Sequence, residues 1–280
     1  MLISFSTITF DKIGNNHYLG GPADYGGVVL DYLEEKNGIK FLNVCNIARK
    51  DISSLVTLAH KNLVPNYIPQ SVNFELIFKN DKRQVLLQSK RFKVTDAIFK
   101  KFNLQDEIKG NTVIVSPVIS EFTLSFFSKL ISLKPKALFL DLYNNDDGRF
   151  SQNEIKLFET ISKAKGVKIF FKLSKNEMRG LTENKVTFET NHCFLTTLGA
   201  DGAELKNGNL TLRTYGLKVK TINPTGAGDI FIYTFASLYD KGTKLEECLN
   251  AANTMAAKST EYMSLEEFSD GLRQRVSKIL

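Results

Sequence analysis

The chain has 280 residues, of which 42% are apolar and 24% are charged, and its formal net charge is +7. These values are typical of a globular protein and exclude a disordered chain or a collagen-like repeat. No apolar run reaches the ~18 residues of a membrane-spanning helix, and the N-terminus lacks the basic region of a secretory signal. The three cysteines are widely spaced and fit neither a disulfide framework nor a CxxC metal site, so we expect a cytoplasmic protein with no membrane partner.

Strand-like apolar runs alternate with helical patterns along most of the chain. In chain order, strands are predicted at 2–10, 39–44, 112–116, 137–140, 167–171 and 193–197, and helices at 24–36, 121–132, 151–165 and 176–181. A two-stranded ribbon is predicted at 72–78 and 84–87 and a hairpin turn at 206–209, while the chain after Gly226 is predicted to be helical almost to its end. This alternation favours an α/β fold with a doubly wound, mostly parallel sheet covered by helices on both faces.

Positive charge is concentrated in residues 79–101, which contain eight basic and two acidic residues. A nucleic-acid-binding patch is one interpretation of this segment. No helix-turn-helix, zinc-finger or RNA-recognition signature accompanies it, so we favour a solvated face that attracts anionic ligands and expect no nucleic-acid partner.

The most informative stretch is 223–229, which reads Asn-Pro-Thr-Gly-Ala-Gly-Asp and leads directly into an apolar helix. Gly226 and Gly228 have no side chains to block an anion, and the first N–H groups of a helix are unpaired and attract phosphate. Asp229 lies in the first turn, where a carboxylate can take a proton from an attacking hydroxyl. An ordinary glycine-rich helix entry is the alternative interpretation of the motif taken alone.

The motif resembles the C-terminal signature of the ribokinase-like (PfkB) carbohydrate kinase family, which reads approximately DTTGAGD. Other landmarks of that family occur in the family's order: Asp11 after the first strand, the double glycine Gly20 and Gly21, the segment 172–177 (KLSKNE against KPNxxE), the segment 197–202 (TLGADG against TLGxxG), and 251–253 near the adenine pocket. The resemblance covers nearly the whole chain, and it is more specific than any single motif.

The resemblance implies a ribokinase-like fold with a small β lid and ATP-dependent phosphorylation of a hydroxyl on a small sugar or cyclitol. It implies that Asp229 is the catalytic base and that the Gly226, Ala227 and Gly228 amides form the anion hole. The implied substrate-binding residues are Asp11, Gly20, Gly21 and Tyr25. The implied nucleotide-binding residues are Ser174, Thr197, Gly199, Gly202 and Asn253, and Glu177 is implied to act on Mg²⁺ through water.

The chain departs from the family pattern at several positions. Asn223 and Pro224 replace an Asp and a Thr in the glycine motif, and Ser174 replaces the Asn of KPNxxE. Tyr25 stands where ribokinases place a sugar-contacting Asn, a pattern closer to inositol-kinase-type relatives. An aromatic ring can cover the apolar face of a cyclic polyol, so we expect an inositol or a sugar ahead of a nucleoside.

We expect one domain spanning residues 1–280, with the ribbon at about 72–89 as its lid. The short spacer between Asp11 and Gly20 leaves no lid strands there, so the ribbon is expected to make most of the lid. Apolar residues lie on both faces of the ribbon, which predicts a homodimer contact through the lid.

Two alternative functions remain: a nucleoside kinase of the same family, and a catalytically silent ligand sensor on the same fold. The acids Asp229 and Glu177 favour an enzyme. The absence of a GxxxxGK[ST] loop excludes a P-loop kinase, and the absence of GxGxxG argues against a nicotinamide enzyme.

A few other polar residues are weaker candidates. The histidines, His17, His60 and His192, show no metal-ligand spacing and are expected to be structural or solvated. The sequence 146–148 (Asp-Asp-Gly) predicts a turn, and Glu121 could either face the substrate or start a helix.

Overall fold

The computed structural model describes residues 1–57, 62–79, 82–142, 149–189 and 192–275. The predictions made for His60 and for the turn at 146–148 lie outside the described residues, as do residues 80–81 between the two predicted strands of the ribbon. Within them, no helix is long and apolar enough to cross a membrane.

The strands are β1 (Leu2–Thr7), β2 (Thr9–Ile13), β3 (Asn16–Gly20), β4 (Phe41–Ala48), β5 (Leu63–Ile68), β6 (Val72–Lys79), β7 (Lys82–Leu87), β8 (Thr112–Ser116), β9 (Ala137–Leu140), β10 (Lys168–Ser174), β11 (Cys193–Thr197), β12 (Gly202–Asn207) and β13 (Leu210–Tyr215). The helices are α1 (Pro22–Asn37), α2 (Ala97–Lys101), α3 (Gln105–Ile108), α4 (Leu124–Ser132), α5 (Gln152–Ser162), α6 (Lys175–Glu183), α7 (Ala227–Asp240), α8 (Leu245–Ser259) and α9 (Leu265–Arg275). Segments of 3₁₀ helix lie at Arg49–Thr57 and Gly199–Asp201.

Within the described residues, the central sheet has nine strands in the order β13-β12-β11-β10-β9-β8-β1-β4-β5. The pairs from β5 to β11 are parallel, and β12 and β13 add an antiparallel edge. Helices α1, α7, α8 and α9 cover one face, and α2 to α6 cover the other, each over its own apolar core. The predicted doubly wound α/β fold is confirmed.

Strand β9 shows why the central strands read as unbroken apolar runs. Its four residues are all fully buried. Phe139 stacks on Phe170 in the core of one face, while Leu138 and Leu140 belong to the core of the other. A strand with helices on both faces has no polar side, so the period-2 alternation disappears.

A second, four-stranded sheet has the order β3-β2-β6-β7. The predicted ribbon is present as β6 and β7. The prediction that no lid strand lies between Asp11 and Gly20 is wrong, because β2 and β3 pair as a tight hairpin there. Gly14 has a φ of +60°, which a short hairpin turn requires, so two strands fit into the spacer.

The single strand predicted at 2–10 is wrong: the structure has two strands there, and they belong to different sheets. Strand β1 ends at Thr7 in the central sheet, and β2 begins at Thr9 in the second sheet. Ile8 between them is fully buried. The apolar pattern runs through this break, so periodicity alone did not reveal it.

Helix α4 begins three residues later than predicted. The hydroxyl of Thr123 accepts a hydrogen bond from the amide of Phe126 and caps the helix. Glu121 is left in the preceding loop. Helix α5, by contrast, begins one residue after its predicted start, behind a capping box formed by Ser151 and Glu154.

Candidate active site

A cavity of about 670 Å³ lies between the carboxyl edge of the central sheet and the second sheet. Its walls come from the ends of β9 and β10, from the starts of α1, α6 and α7, from residues 117–118 after β8, and from β2, β6 and β7. Because the carboxyl ends of parallel strands meet at one edge, residues distant in sequence converge there, as is usual for ligand sites in open α/β sheets.

The cavity brings together most of the residues expected to bind substrate and phosphate. The predicted site residues that line it are Asp11, Gly21, Tyr25, Ser174, Glu177, Gly226, Gly228 and Asp229. Gly20 lies directly behind Asp11, since a Cβ atom built on Gly20 would stand 2.6 Å from Asp11 Oδ2.

The remaining predicted residues, Thr197, Gly199, Gly202 and Asn253, do not line this cavity. They lie on the neighbouring part of the fold formed by β11, the 3₁₀ turn, β12 and α8. Asn253 Nδ2 donates to the carbonyl of Tyr215 at 2.9 Å, and a Cβ on Gly202 would collide with the carbonyl of Thr214. Both residues therefore have structural tasks of their own.

The glycine turn before α7 has the geometry that the motif predicts. Gly226 is the N-cap residue, its φ is +79°, and no side chain caps the helix. A Cβ on Gly226 would collide with the ring of Tyr25, so ring and backbone are in close contact. Thr225 Oγ1 is buried without a hydrogen-bond partner in the described part of the chain. This turn therefore offers unsatisfied polar groups to a ligand.

Ala227 lies inside the turn rather than on the cavity wall. Its amide donates to the carbonyl of Pro224 over a long 3.4 Å. Half-buried Asp229 follows in the first helical turn and lines the cavity.

Lys172 and Asp141 form an ion pair in the cavity wall that sequence reasoning missed. Lys172 Nζ lies 3.0 Å from both carboxylate oxygens of Asp141, and each side chain is almost buried. Burial acts to lower the pKa of Lys172, but Asp141, Glu177 and Asp229 outweigh it and raise the pKa. The ammonium therefore stays charged. The three acids that keep it charged are far apart in sequence.

The available signals for this pair were weak. Lys172 is the first residue of the segment matched to KPNxxE, but the motif assigns its roles to other positions. Asp141 is a polar residue directly after a fully apolar strand, at the edge where functional side chains gather.

Glu177 lines the cavity and also closes the N-terminus of α6. Its Oε2 accepts from the amide of Ser174 at 2.5 Å, and the Ser174 hydroxyl accepts from the amide of Glu177 at 3.2 Å, which is a capping box. Burial raises the pKa of Glu177, Lys172 lowers it, and Asp141 raises it, with a net upward shift. Among the described residues, no group of three or more His, Cys, Asp or Glu side chains could hold a metal directly.

Tyr25 lies close to the carboxylates of Asp11 and Asp229, which the resemblance implies for substrate binding and catalysis. Burial raises the pKa of its hydroxyl, and the charges of Asp11, Asp24 and Asp229 raise it further. The hydroxyl is therefore protonated at neutral pH and can donate a hydrogen bond.

Glu121 does not line the cavity, so the interpretation that it faces the substrate is wrong. It is fully buried and accepts hydrogen bonds from Thr7 Oγ1 and from the amides of Val118 and Ile119. Burial raises the pKa of this carboxyl, and those donors act against the shift. Glu121 braces the loop whose residues Pro117 and Val118 line the cavity.

The two described histidines match the expectation of structural or solvated roles. His17 is exposed on β3. His192 is buried, with Nε2 2.9 Å from the carbonyl of Ser162. Cys193 is buried in the apolar core beneath α1 and α7.

Comparison with known proteins gives a family match over the C-terminal part of the chain. Residues 168–270, which include Lys172, Glu177 and Asp229, match the model of the pfkB family carbohydrate kinases. A curated relative, an uncharacterized sugar kinase from Archaeoglobus fulgidus, is 36% identical over 70 residues. That match spans 25% of this chain and 28% of the relative.

Solved structures match the fold over almost the whole chain. A nucleoside kinase from Burkholderia thailandensis in complex with inosine has a TM-score of 0.72 at 14% identity, covering 96% of this chain and 93% of that one. A pyrophosphate-dependent kinase in the ribokinase family, complexed with a pyrophosphate analog and myo-inositol, has a TM-score of 0.68 at 16% identity, covering 96% and 98%. Residues 168–270 are therefore similar to the pfkB family carbohydrate kinases, and the fold of the chain matches the fold of these solved structures.

Proposed function

We propose that this protein is an ATP-dependent kinase that transfers a phosphoryl group to a hydroxyl of a small sugar or cyclitol. The observation that carries the proposal is the position of Asp229. It lies in the first turn of α7, directly after the open glycine turn, in the same cavity as Asp11, Tyr25 and the buried Lys172. A base, an anion-binding turn and a fixed cation are the parts that phosphoryl transfer to an alcohol requires.

The acceptor binds between the start of α1 and the second sheet, of which β2 is a strand. Asp11 accepts hydrogen bonds from its hydroxyls, and a charged acceptor strengthens those bonds. The ring of Tyr25 covers an apolar face of the acceptor, and its hydroxyl donates a hydrogen bond. Phe74, Leu76 and Val85 of the second sheet line the other side and exclude water from the reacting groups.

Asp229 takes the proton from the attacking hydroxyl as the new oxygen–phosphorus bond forms. Its place at the start of α7 favours the ionised carboxylate, because the positive end of the helix dipole lies there. The donor's leaving oxygen departs on the opposite side of the phosphorus, so the displacement is in line.

The charge of the transferred phosphoryl group is neutralised by the glycine turn together with Lys172. Backbone amides and an ammonium that are already fixed stabilise developing charge without reorganising. Asp141 holds Lys172 in place by its bidentate contact and acts as a positioning residue.

Mg²⁺ fits this site through its water shell, since it commonly keeps several waters and binds the phosphates of the donor. Glu177 and Asp141 are the carboxylates that would hold those waters, and the bound ion would neutralise charge on the donor phosphates. Ser174 supports Glu177 through the capping box. We assign Thr197, Gly199, Gly202 and Asn253 to the nucleotide side of the site, as the family resemblance implies.

The homodimer through the lid stays a prediction. Phe74 and Leu76 pack with Val118 and Ile119 inside the chain, so one apolar face of the ribbon is already covered. Ile77 is half-buried on the other face. Light scattering at high protein concentration tests this prediction, and a strict monomer argues against it.

The decisive experiment for the substrate compares kcat/KM for myo-inositol, ribose, fructose, adenosine and cytidine, with ATP and then pyrophosphate as donor. We expect a polyol to lead with ATP. A nucleoside leading by about tenfold or more (~1.4 kcal/mol of transition-state discrimination) would support the nucleoside kinase alternative and leave phosphoryl transfer intact. No transfer to any acceptor from either donor, with ligand binding retained, would support the silent sensor.

A further inference from the structure

Glu121 lies outside the active-site cavity but contacts two parts of the chain that shape it. Its fully buried carboxylate accepts hydrogen bonds from the Thr7 hydroxyl at 2.5 Å and from the amides of Val118 and Ile119 at 3.1 and 3.0 Å. These three partners are donors, which is the kind of group that an ionised carboxylate accepts. A single side chain therefore joins the end of β1 to the loop after β8.

Thr7 lies at the joint between the two sheets. It is the last residue of β1, and β2 of the second sheet begins two residues later at Thr9, which lines the cavity. The Thr7 carbonyl also lies against the start of α1, because a Cβ atom built on Gly21 would stand 2.5 Å from its oxygen. Asn46 Nδ2 donates to the Thr7 hydroxyl at 2.9 Å, which directs the single hydroxyl proton toward Glu121.

The loop held in this way supports the second sheet. Its residues Val118 and Ile119 pack in one apolar cluster with Val72, Phe74 and Leu76 of β6. Val118, Phe74 and Leu76 also line the cavity. The position of the loop therefore fixes where β6 lies relative to a bound acceptor.

Ser120 gives this loop its shape. Its φ is +55°, in the left-handed region that residues other than glycine rarely adopt, and the resulting turn directs the Glu121 carboxylate back onto the preceding amides. The Ser120 hydroxyl donates to Glu154 Oε1 at 2.8 Å, and the Ser120 carbonyl accepts from Lys93 Nζ at 2.9 Å. A strained turn persists where several contacts determine it together, so the loop is held in one conformation.

We propose that Glu121 is a positioning residue for the acceptor. By holding Thr7 and the loop at 117–119 together, it fixes the second sheet over the acceptor and so sets the affinity for it. This inference rests on the proposed function. Because Asp229 and Lys172 come from other parts of the fold, losing the Glu121 contacts weakens acceptor binding more than it slows the chemical step.

Amide hydrogen exchange tests the link to the second sheet without any substrate. Glu121→Gln keeps the size of the side chain but replaces an acceptor oxygen by a donor group, so at least one partner is left unpaired. We expect a larger increase in exchange rate in β6 and β7 than in β9 and β10. Asp240→Asn is the matched control, because Asp240 accepts from the Thr112 hydroxyl at 2.6 Å at the opposite edge of the sheet. Faster exchange confined to the loop at 117–121, an equal increase in all four strands, or the same increase in β6 and β7 for both variants would overturn the proposal.

Steady-state kinetics with the best acceptor of the substrate panel tests the consequence for the reaction. Glu121→Gln should raise the acceptor KM about tenfold, while kcat and the KM for ATP change by less than about twofold. Asp240→Asn should leave both KM values unchanged, which is also what a merely structural Glu121 would give.

Thr7→Val removes the same contact from its other side and should also raise the acceptor KM, whereas Thr7→Ser keeps the hydroxyl and should not. Where Glu121→Gln does not fold, Thr7→Val carries both the exchange and the kinetic comparison. An unchanged acceptor KM in the folded variants, or a loss of kcat without a change in that KM, would overturn the proposal. No turnover by the unchanged protein would instead contradict the proposed function, and the exchange comparison would still decide whether Glu121 fixes the second sheet.

Discussion

The ammonium of Lys172 lies directly against the backbone of Gly228: a Cβ atom built on Gly228 would stand 2.7 Å from Nζ. The second glycine of the turn is therefore needed for the close approach of a cation, and the first, Gly226, for its positive φ and its contact with Tyr25. The geometry places a fixed positive charge beside the amides that the proposed mechanism uses for the phosphoryl group.

Replacing Lys172 by Met should reduce kcat by roughly 10²–10³-fold, the usual effect of removing one preorganised charge-stabilising donor. The variant should also be less stable by about 3–5 kcal/mol, because Asp141 is left buried without its counter-ion. Steady-state kinetics and urea unfolding measure the two effects separately.

The double variant Lys172→Met/Asp141→Asn is the control for this prediction. Removing the stranded carboxylate charge should recover much of the stability while kcat stays low. Recovery of kcat along with stability would show that the charge of Lys172 is not used in the reaction.

Gly226→Ala should destabilise the protein and raise the KM for the acceptor. A left-handed φ costs a non-glycine residue about 1–2 kcal/mol, and the added Cβ also displaces the ring of Tyr25. Gly166→Ala is a matched control, since Gly166 has a φ of +78° and nothing within 4 Å of an added Cβ. The control should lose stability without any change in KM; an equal KM change in both variants would contradict the role given to Tyr25.

Glu177→Gln should raise the Mg²⁺ concentration needed for half-maximal rate more than it changes the acceptor KM, since its charge would order the water shell of the metal. Ser174→Ala separates this effect from helix capping. It should cost about 1 kcal/mol of stability and leave the Mg²⁺ requirement close to that of the unchanged protein. Superimposable Mg²⁺ titrations of Glu177→Gln and the unchanged protein would remove Glu177 from the metal side of the site.

His192 should make the protein less stable as the pH falls below about 6.5. Burial lowers the pKa of its imidazole, so the folded state binds its proton less readily than the unfolded state. The stability due to neutral His192 is complete above the unfolded pKa of 6.5 and is lost as the pH falls from there toward the folded pKa, by up to ~1.4 kcal/mol per pH unit. Urea unfolding between pH 7 and pH 5 should show a weaker pH dependence for His192→Gln than for the unchanged protein.

Buried strands and the glycine motif were predictable because each is a local pattern. The strands at 112–116 and 137–140 have the predicted bounds, and the turn before α7 has the predicted shape. The break at Ile8 was not predictable from periodicity, because a fully buried residue joins two strands of different sheets. The hairpin signal was nevertheless present at Gly14 and Asn15, between β2 and β3.

The ion pair of Lys172 and Asp141 could not be predicted from the sequence. The two residues are 31 positions apart and meet only because β9 and β10 are neighbours in the sheet. Glu121 shows the opposite error. It was a candidate for facing the substrate, but its carboxylate instead holds the preceding loop through the amides of Val118 and Ile119. In both cases strand order decides which polar side chains face the cavity.

The central claim is that Asp229 is the base of a phosphoryl transfer, and the variant Asp229→Asn tests it most directly. The change keeps the size of the side chain and removes the carboxylate that accepts the proton. With the best acceptor of the substrate panel, kcat should fall by roughly 10²–10⁴-fold, while calorimetry shows ATP and acceptor binding nearly unchanged. An Asp229→Asn protein that keeps most of its turnover would contradict the account.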